Sequence, residues 1–375
     1  MNLPDEKIRQ AAETALAKGI PFVLYRMPRE EVWRFHAMFP GETREVYDGR
    51  RFFIGTYDGG PSDVAWIDDD LDADALLEYS RHLDDIPVSE TFELPRLTST
   101  PRAAYLSSIR RIRKLLRKEG NAKAVISRVQ AVSSSVSPTE LAERYLPLEP
   151  GNFGYLCYTP EHGIWLGSTP EVLGESLSAP ATDGRSERRI FHTMALAGTR
   201  WTDEPWSEKN LAEHDYVVSY IRNILSEVSP EVTVHPTSTL GTNGVEHLCT
   251  TFDAELADIP PMEILDRLNP TPAVCGYPKE MALHLIDVYE SHKRGCYAGM
   301  VGICDSPDDI HAYVNLRCAH AASRRGHDDW VYNIFAGGGI LPTSDEQEEW
   351  EELDRKTAVL RSLLPDAVSN PVDND

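Results

Sequence analysis

The sequence contains no pattern of paired cysteines. Six cysteines occur in 375 residues, with no CxxC pair and no cluster at zinc-ligand spacing: Cys157, Cys249, Cys275, Cys296, Cys304 and Cys318. In a chain of this length, isolated cysteines indicate reduced and mostly buried thiols. The pattern therefore argues against a disulfide framework and against a structural zinc site.

Long apolar runs are also missing. The sequence has no run of 18 apolar residues, so it predicts no membrane span. The first ten residues, MNLPDEKIRQ, are charged and lack an apolar segment, which predicts that no signal peptide is present. With 41% hydrophobic and 26% charged residues, the composition is that of a globular protein. We therefore expect a soluble cytoplasmic protein.

Positive charge is scarce relative to negative charge. The chain carries 37 Lys and Arg against 60 Asp and Glu, a net charge of −23. Such a field repels nucleic acid and anionic membranes, so neither is expected as a partner. A small anionic substrate remains compatible, because a local pocket of Arg, Lys and a metal ion can outweigh the global field.

Helix and strand patterns follow one another from residue 102 onward. AAYLSSIRRIRKLLRKEG predicts an amphipathic helix with a basic outer face, and Lys123 opens the β-branched strand KAVISRVQAV. NFGYLCYTPEHGIWLGSTPE predicts a hairpin that ends just before Glu171. Residues 207–228 form the clearest helical pattern, and Glu213 lies in its first half.

A glycine-rich stretch near the C-terminus is the most informative segment. NIFAGGGILPTSDEQEEWEELDRK predicts a strand, then three glycines before a short loop, then a helix. Ser344 and Gln347 have the spacing of a capping box, which predicts a helix start near Asp345. Glycines allow the backbone to approach a ligand and to offer N–H groups to an anion.

Three charged residues of this helix share one face. Glu349, Glu352 and Lys356 are spaced i, i+3 and i+7. Together with the glycines they could hold a divalent cation and a carboxylate side by side. A glycine-rich turn followed by a solvated acidic helix is the alternative interpretation, and this segment alone does not decide between them.

The order of these motifs resembles that of the chorismate-utilising enzymes. This family includes isochorismate synthase, salicylate synthase, anthranilate synthase component I and aminodeoxychorismate synthase component I. The similar motifs, spread over about residues 102–362, are KAVISR, GSTPE, ALAGTR, AEH, EHLCTTF, NPTPAVCGYPKE, RGCYAGMVG, NLRCA and AGGGI followed by EEWEELDRK.

The resemblance implies an α+β fold of the anthranilate synthase component I type. It would consist of packed, largely antiparallel sheets with flanking helices and an active site in the cleft between them. Residues 1–100 would form a divergent N-terminal part of the same unit, and residues 101–365 the chorismate-binding catalytic region. Residues 366–375 are expected to be a disordered tail.

The resemblance also assigns chemical roles. Lys123 is implied as the base that activates water, and Glu171 as the acid that protonates the leaving 4-hydroxyl. Glu213 and Glu352 match the ligands of Mg²⁺, with Glu349 contacting the metal through water. The implied substrate-binding positions are Ala197, Gly198, Thr199, His247, Thr271, Tyr297, Arg317, Gly337, Gly338, Gly339 and Lys356.

One position departs from the family pattern. Asn210 lies three residues before Glu213, where relatives usually carry an acid. This departure predicts the loss of one charge near the metal and a weaker affinity for magnesium.

Two positions separate the reactions within the family. The aminating members usually have Gln at the position of Lys123, and aminodeoxychorismate synthases carry a nucleophilic lysine at that of Ala197. Both residues here favour water as the nucleophile, and no glutaminase GxCxG elbow is present. The resemblance thus implies a Mg²⁺-dependent isochorismate synthase with chorismate as its partner, working as a monomer or weak dimer.

Three other functions remain open at this point. They are a salicylate synthase that goes on to eliminate pyruvate, an ammonia-using relative, and a chorismate-binding homologue without turnover. The PTPA segment favours the isochorismate synthase, whereas Tyr297 is compatible with either of the first two reactions. The pathway served, whether menaquinone, siderophore or salicylate biosynthesis, is not encoded in these motifs.

Overall fold

The computed structural model describes residues 4–40, 49–60, 63–83, 98–120, 122–179, 188–202, 204–242, 245–256, 259–323 and 329–364. The expected tail at 366–375 lies outside these ranges. The α-helices are α1 (Glu6–Lys18), α2 (Ala73–Tyr79), α3 (Arg102–Glu119), α4 (Pro138–Tyr145), α5 (Glu208–Val228), α6 (Pro261–Leu268), α7 (Lys279–Tyr289) and α8 (Glu346–Ser362). In this part of the chain, no helix is long and apolar enough to span a membrane.

Two large sheets form the framework. The first contains, in spatial order, β13 (Gly276–Tyr277), β5 (Lys123–Ser134), β17 (Trp330–Ile340), β16 (Cys318–Ser323), β7 (Gly163–Thr169), β6 (Phe153–Thr159), β1 (Phe22–Arg26) and β2 (Arg34–Ala37). The second contains β10 (Val232–Val234), β12 (Val245–Glu255), β9 (Arg188–Trp201), β8 (Val172–Ala179), β15 (Asp309–Val314), β14 (Met300–Ser306), β3 (Arg51–Gly55) and β4 (Val64–Asp68), with β11 (Ser238–Thr242) beside β12.

The pairing within both sheets matches the expected architecture. Each of the named strand pairs is antiparallel, and helices flank the sheets. The α+β fold implied by the motifs is thereby confirmed.

A core rich in aromatic side chains lies between the sheets. Phe153 of β6 stacks on Tyr313 of β15 with ring centroids 4.6 Å apart, and both rings are buried. Burial of a large apolar side chain contributes about 1.5–3 kcal/mol, so this interface is a main source of stability. The six cysteines, all in the described part of the chain, are buried and carry free thiols.

The N-terminal strands belong to the same two sheets. Strand β1 pairs with β6 of the hairpin, and β3 pairs with β14. Both β1 and β3 therefore extend sheets that are built mainly from later strands.

The glycine-rich stretch was assigned wrongly. Gly337, Gly338 and Gly339 lie inside β17 rather than after its end, and they pair in register with residues 125–127 of β5. Glycine has a low intrinsic preference for strands, but continuous pairing along β5 outweighs that preference.

The predicted capping box is also wrong, although the helix start is close to the expected one. Asp345 caps α8, because its carboxylate accepts hydrogen bonds from the N–H groups of Gln347 and Glu348. The hydroxyl of Ser344 instead accepts from the N–H of Leu341 at 3.0 Å. The capping side chain is thus one residue later in the chain than the spacing suggested.

Candidate active site

A cavity lies where the two sheets face each other. Its empty volume is about 750 Å³, including space open to solvent. Strands β5 and β17 of the first sheet and β9 and β12 of the second line it, together with side chains of α5 and α8. Thirteen predicted residues line it: Lys123, Glu171, Ala197, Gly198, Thr199, Glu213, His247, Tyr297, Arg317, Gly337, Gly339, Glu352 and Lys356.

Lys123 begins β5 and points into this cavity. It pairs with Tyr277 of β13 in the ladder, and only 2% of its surface is exposed. Burial lowers the pKa of its ammonium, while the carboxylate of Glu213 partly opposes this effect. The lysine can therefore lose its proton more readily than a solvated lysine.

Glu171 lies in the short connection between β7 and β8, where the chain passes from one sheet to the other. The residue is buried, and the carbonyl oxygen of its backbone accepts from Val314 at 3.0 Å. Burial raises the pKa of its carboxyl to about 8, although Lys123 and Lys356 act in the opposite direction. At neutral pH the carboxyl holds a proton that it can donate.

Arg317 and His247 line another part of the cavity. Arg317 lies between β15 and β16 in the left-handed backbone region (φ 49°), and its carbonyl accepts from the hydroxyl of Tyr145 at 2.9 Å. Nε2 of the His247 ring lies 3.4 Å from the guanidinium of Arg317, and Nδ1 lies 3.2 Å from the carbonyl oxygen of Gly198. Burial lowers the pKa of His247 to about 3, so a neutral imidazole orients the guanidinium.

The glycines of β17 contribute backbone to the cavity. In the ladder, Gly339 lies opposite Val125 and Gly337 opposite Ser127. The N–H groups of these two β5 residues point away from β17: Val125 donates to the carbonyl of Cys275, and Ser127 donates to the carboxylate of Glu290. Gly337 and Gly339 are therefore in non-hydrogen-bonded pairs, with their N–H groups directed away from β5. Lys356 donates to the carbonyl of Gly337 on that side, at 2.9 Å.

Gly339 also leaves room for a carboxylate. A Cβ atom at this position would lie 1.7 Å from Oε1 of Glu213 and 3.0 Å from Cε of Lys123. Glu213 of α5 can approach β17 only because position 339 has no side chain.

Three carboxylates of the predicted metal site lie in the first halves of α5 and α8. Glu352 pairs with Lys356 at 2.6 Å, and Glu349 pairs with Lys209 at 2.7 Å. Burial would raise the pKa of Glu352, but Lys356 and Lys209 together hold it below its usual value. Burial raises the pKa of Glu349.

The donor set at this position fits a hard cation. Among the described residues, Oε1 of Glu213 and Oε2 of Glu349 are buried oxygens without a hydrogen-bond partner. Buried carboxylate oxygens are costly when unpaired, and Mg²⁺ prefers oxygen ligands of this kind. Glu213 and Glu352, which both line the cavity, could hold a metal ion at its edge.

Three predicted site residues do not line the cavity. The hydroxyl of Thr271 accepts from the N–H of Ala273 at 3.3 Å and stabilises a turn. Gly338 faces the opposite side of β17, where a Cβ would lie 3.4 Å from Glu349. Glu349 is buried behind the cavity wall, next to Lys209.

The side chain of Asn210 is held by hydrogen bonds at the start of α5. Its amide oxygen accepts from the N–H and hydroxyl of Ser207, and its amide nitrogen donates to the carbonyl of Thr199 at 2.8 Å. The side chain caps α5 and joins it to the end of β9. The weaker magnesium affinity expected from the missing charge at this position stays a prediction.

Lys209 is a charged residue at this site that the sequence analysis missed. Burial alone would lower the pKa of its ammonium, but the carboxylates of Glu213, Glu349 and Glu352 outweigh burial and raise it. Its i, i+4 spacing to Glu213 on one helix was the signal that could have found it.

Comparisons with known proteins identify the family of this chain. The chain belongs to the chorismate binding enzyme family, whose profile matches residues 58–362. It is similar to isochorismate synthases. It is 31% identical over 281 residues to the putative isochorismate synthase MenF of Mycobacterium tuberculosis, covering 70% of this chain and 74% of that protein.

A second relative is isochorismate synthase EntC of Escherichia coli, with 28% identity over 251 residues. The match covers 64% of this chain and 62% of EntC, so the chain spans less than two thirds of that relative's length. The solved structure of the menaquinone-specific isochorismate synthase MenF from Escherichia coli superposes with a TM-score of 0.73 at 22% identity. This superposition covers 96% of this chain and 91% of MenF, which confirms the fold.

Proposed function

We propose that this protein is a magnesium-dependent isochorismate synthase. In this reaction water adds to C2 of chorismate, the ring double bonds shift, and the 4-hydroxyl leaves as water. The observation that carries the proposal is that one cavity contains a buried lysine whose pKa is lowered and a buried glutamate whose pKa is raised. Opposite shifts of this kind separate a base from an acid at one pH.

Lys123 is proposed as the base. Its neutral amine takes a proton from the attacking water, so the nucleophile gains hydroxide character as the C2–O bond forms. Hydrophobic neighbours such as Val125 and Phe335 line the same cavity and limit the water that could keep the amine protonated.

Glu171 is proposed as the acid. Hydroxide is a poor leaving group, so the C4–O bond breaks as the carboxyl transfers its proton to that oxygen. One water is consumed and one is released. Afterwards Lys123 carries the proton taken from the attacking water, and Glu171 lacks the proton that left with the 4-hydroxyl; exchange with solvent restores both groups.

The two carboxylates of chorismate require cationic partners and N–H donors. Arg317 and Lys356, with the N–H groups of Gly337 and Gly339, provide these on one side of the cavity. Glu213 and Glu352 are proposed to hold Mg²⁺, which would supply positive charge to bind the ring carboxylate and polarise the ring. Water-mediated contact through Glu349 remains part of this proposal, because its Oε2 is buried and unpaired among the described residues.

Water is the proposed nucleophile rather than ammonia or a side chain. Lys123 stands where the aminating relatives carry Gln, and Ala197 in the cavity wall provides no nucleophilic group. The similarity to proteins named isochorismate synthases supports the same reaction.

A product assay tests the proposal. Purified protein is incubated with chorismate and Mg²⁺, with and without ammonium, and the products are resolved by liquid chromatography and mass spectrometry. The expected product is an isomer of chorismate that forms equally well without ammonium and does not form with EDTA.

Each alternative gives a different result in the same assay. Salicylate with an equal amount of pyruvate would identify a salicylate synthase, and an ammonium-dependent amino product would identify an aminating enzyme. Unreacted chorismate that nevertheless raises the Tm would indicate a binding protein without turnover.

Gly339→Ala is expected to reduce turnover without unfolding the protein. The new methyl group would overlap Oε1 of Glu213, and the flexible end of that side chain would have to move. Displacement of a catalytic or metal-binding group by about 1 Å can lower kcat/KM on the order of a hundredfold. Steady-state kinetics and the Tm would be measured together.

Gly151→Ala is the control for this prediction. Gly151 is exposed in the turn before β6, and a methyl group there would meet no atom within 4 Å. Equal losses of activity in the two variants would contradict the role given to position 339.

A further inference from the structure

We propose that the ammonium of Lys209 is a resident counter-ion of the carboxylate cluster and lowers the affinity of the substrate-free site for Mg²⁺. The carboxylate cluster consists of Glu213, Glu349 and Glu352. This inference rests on the proposed function in one respect only, namely that these carboxylates hold the metal.

The position of Lys209 supports this role. Its Nζ lies 2.7 Å from Oε1 of Glu349, and its side chain retains 23% exposure. Lys209 is in the first turn of α5, four residues before Glu213, so both side chains project from the same helix face. One ammonium thus faces carboxylates of both α5 and α8.

The net charge of the carboxylates and their lysine partners determines how Lys209 affects Mg²⁺ binding. Lys356 already pairs with Glu352, and Lys209 pairs with Glu349. If all three acids are ionised, the two lysines compensate for two of the three negative charges. A divalent cation entering the substrate-free site therefore meets less negative charge than the number of acids suggests, and it is repelled by a nearby ammonium.

Binding of an anionic substrate would increase the electrostatic attraction between the site and Mg²⁺. A carboxylate bound at Arg317 and the β17 backbone adds negative charge on the cavity side, whereas Lys209 remains behind the wall, outside the residues that line the cavity. The arrangement therefore favours binding of the metal together with the substrate.

A purely structural role for Lys209 predicts the opposite result. If its main effect were to hold Glu349 in place, removing the ammonium would disorder the cluster and weaken metal binding. The two roles therefore differ in the sign of the change in magnesium affinity, which can be measured without turnover.

The test is a calorimetric titration of Mg²⁺ into substrate-free protein. Lys209→Met removes the charge but keeps a long side chain, and it is expected to bind Mg²⁺ roughly three- to tenfold more tightly than the wild type, since the residue is only partly screened by solvent. The increase in Tm on adding Mg²⁺ should be larger in the variant for the same reason.

Two further variants separate charge from shape. Lys209→Arg keeps the positive charge and should retain the wild-type affinity. The double variant Lys209→Met with Glu349→Gln removes one charge of each sign, so its affinity should return toward that of the wild type.

Unchanged or weaker Mg²⁺ binding in Lys209→Met would overturn the proposal, as would the absence of Mg²⁺ binding in every variant. Because the titration contains no substrate, its result is independent of the product assay. An isochorismate synthase with unchanged metal affinity in Lys209→Met would refute the counter-ion role alone, whereas a different product with tighter Mg²⁺ binding would refute the proposed reaction alone.

Discussion

Replacing Lys123 with alanine is expected to lower kcat for isochorismate formation by roughly 10²- to 10⁴-fold, the usual contribution of a positioned general base. The amine acts on water and not on the substrate carboxylates, which are assigned to Arg317, Lys356 and the β17 backbone. Chorismate should therefore bind the variant with an unchanged Kd. Single-turnover kinetics and calorimetry with chorismate separate the two effects.

Lys114→Ala provides the matched control for this substitution. Lys114 is an exposed lysine of α3 and is absent from the lining of the cavity. This variant should retain wild-type kinetics and the wild-type Tm. Near-normal turnover in Lys123→Ala would show that another group activates the water, and loss of chorismate binding would show that Lys123 acts on the substrate itself.

Replacing Glu171 with glutamine is expected to produce a loss of similar size, roughly 10²- to 10⁴-fold in kcat. Glutamine preserves the shape of the carboxyl but cannot transfer a proton to the departing oxygen. In the wild type, the acid is active only while protonated. Its activity should therefore fall as the pH rises through the raised pKa of about 8.

The pH dependence of the Tm gives a second measure of the protonation state of Glu171. The folded-state pKa lies above the unfolded value, so the stability associated with the protonated form is present at low pH and is lost as the pH rises through about 8. The Tm of Glu171→Gln relative to the wild type should therefore be higher at about pH 9 than at about pH 6. A difference in Tm that does not change with pH would contradict a raised pKa.

Short sequence patterns were sufficient to predict three elements of secondary structure. The β-branched run after Lys123 forms β5, the turn before Gly163 forms the β6–β7 hairpin, and residues 208–228 form α5. In each case the periodicity or turn chemistry of a short segment agrees with its final environment. The roles of Lys123 and Glu171 came from the family resemblance and not from these patterns.

The remaining features depend on contacts between distant segments. The three glycines were predicted to follow the strand, but they are part of β17, which pairs with β5, about 200 positions earlier in the chain. The pairing of β1 with β6 and of β3 with β14 likewise joins segments that share no local signal. Pairing of this kind is decided by tertiary packing and not by intrinsic preference.

The charge environment of the site was the least predictable feature. Asn210 carries an amide where an acid was expected, and only the structure reveals that this amide donates to the carbonyl of Thr199. The pairing of Lys209 with Glu349 joins α5 to α8, so neither helix alone indicates it. Such pairs follow from the packing of α5 on the second sheet and of α8 on the first.

The central claim is that this site adds water to chorismate, and isotope labelling tests it most directly. The reaction is run with chorismate and Mg²⁺ in water enriched in oxygen-18, and the mass of the product is determined. The account predicts an isomer of chorismate with one labelled oxygen at C2, which is heavier by the mass difference between the two isotopes. A product without the label, or a labelled product that forms equally well in Lys123→Ala, would contradict it.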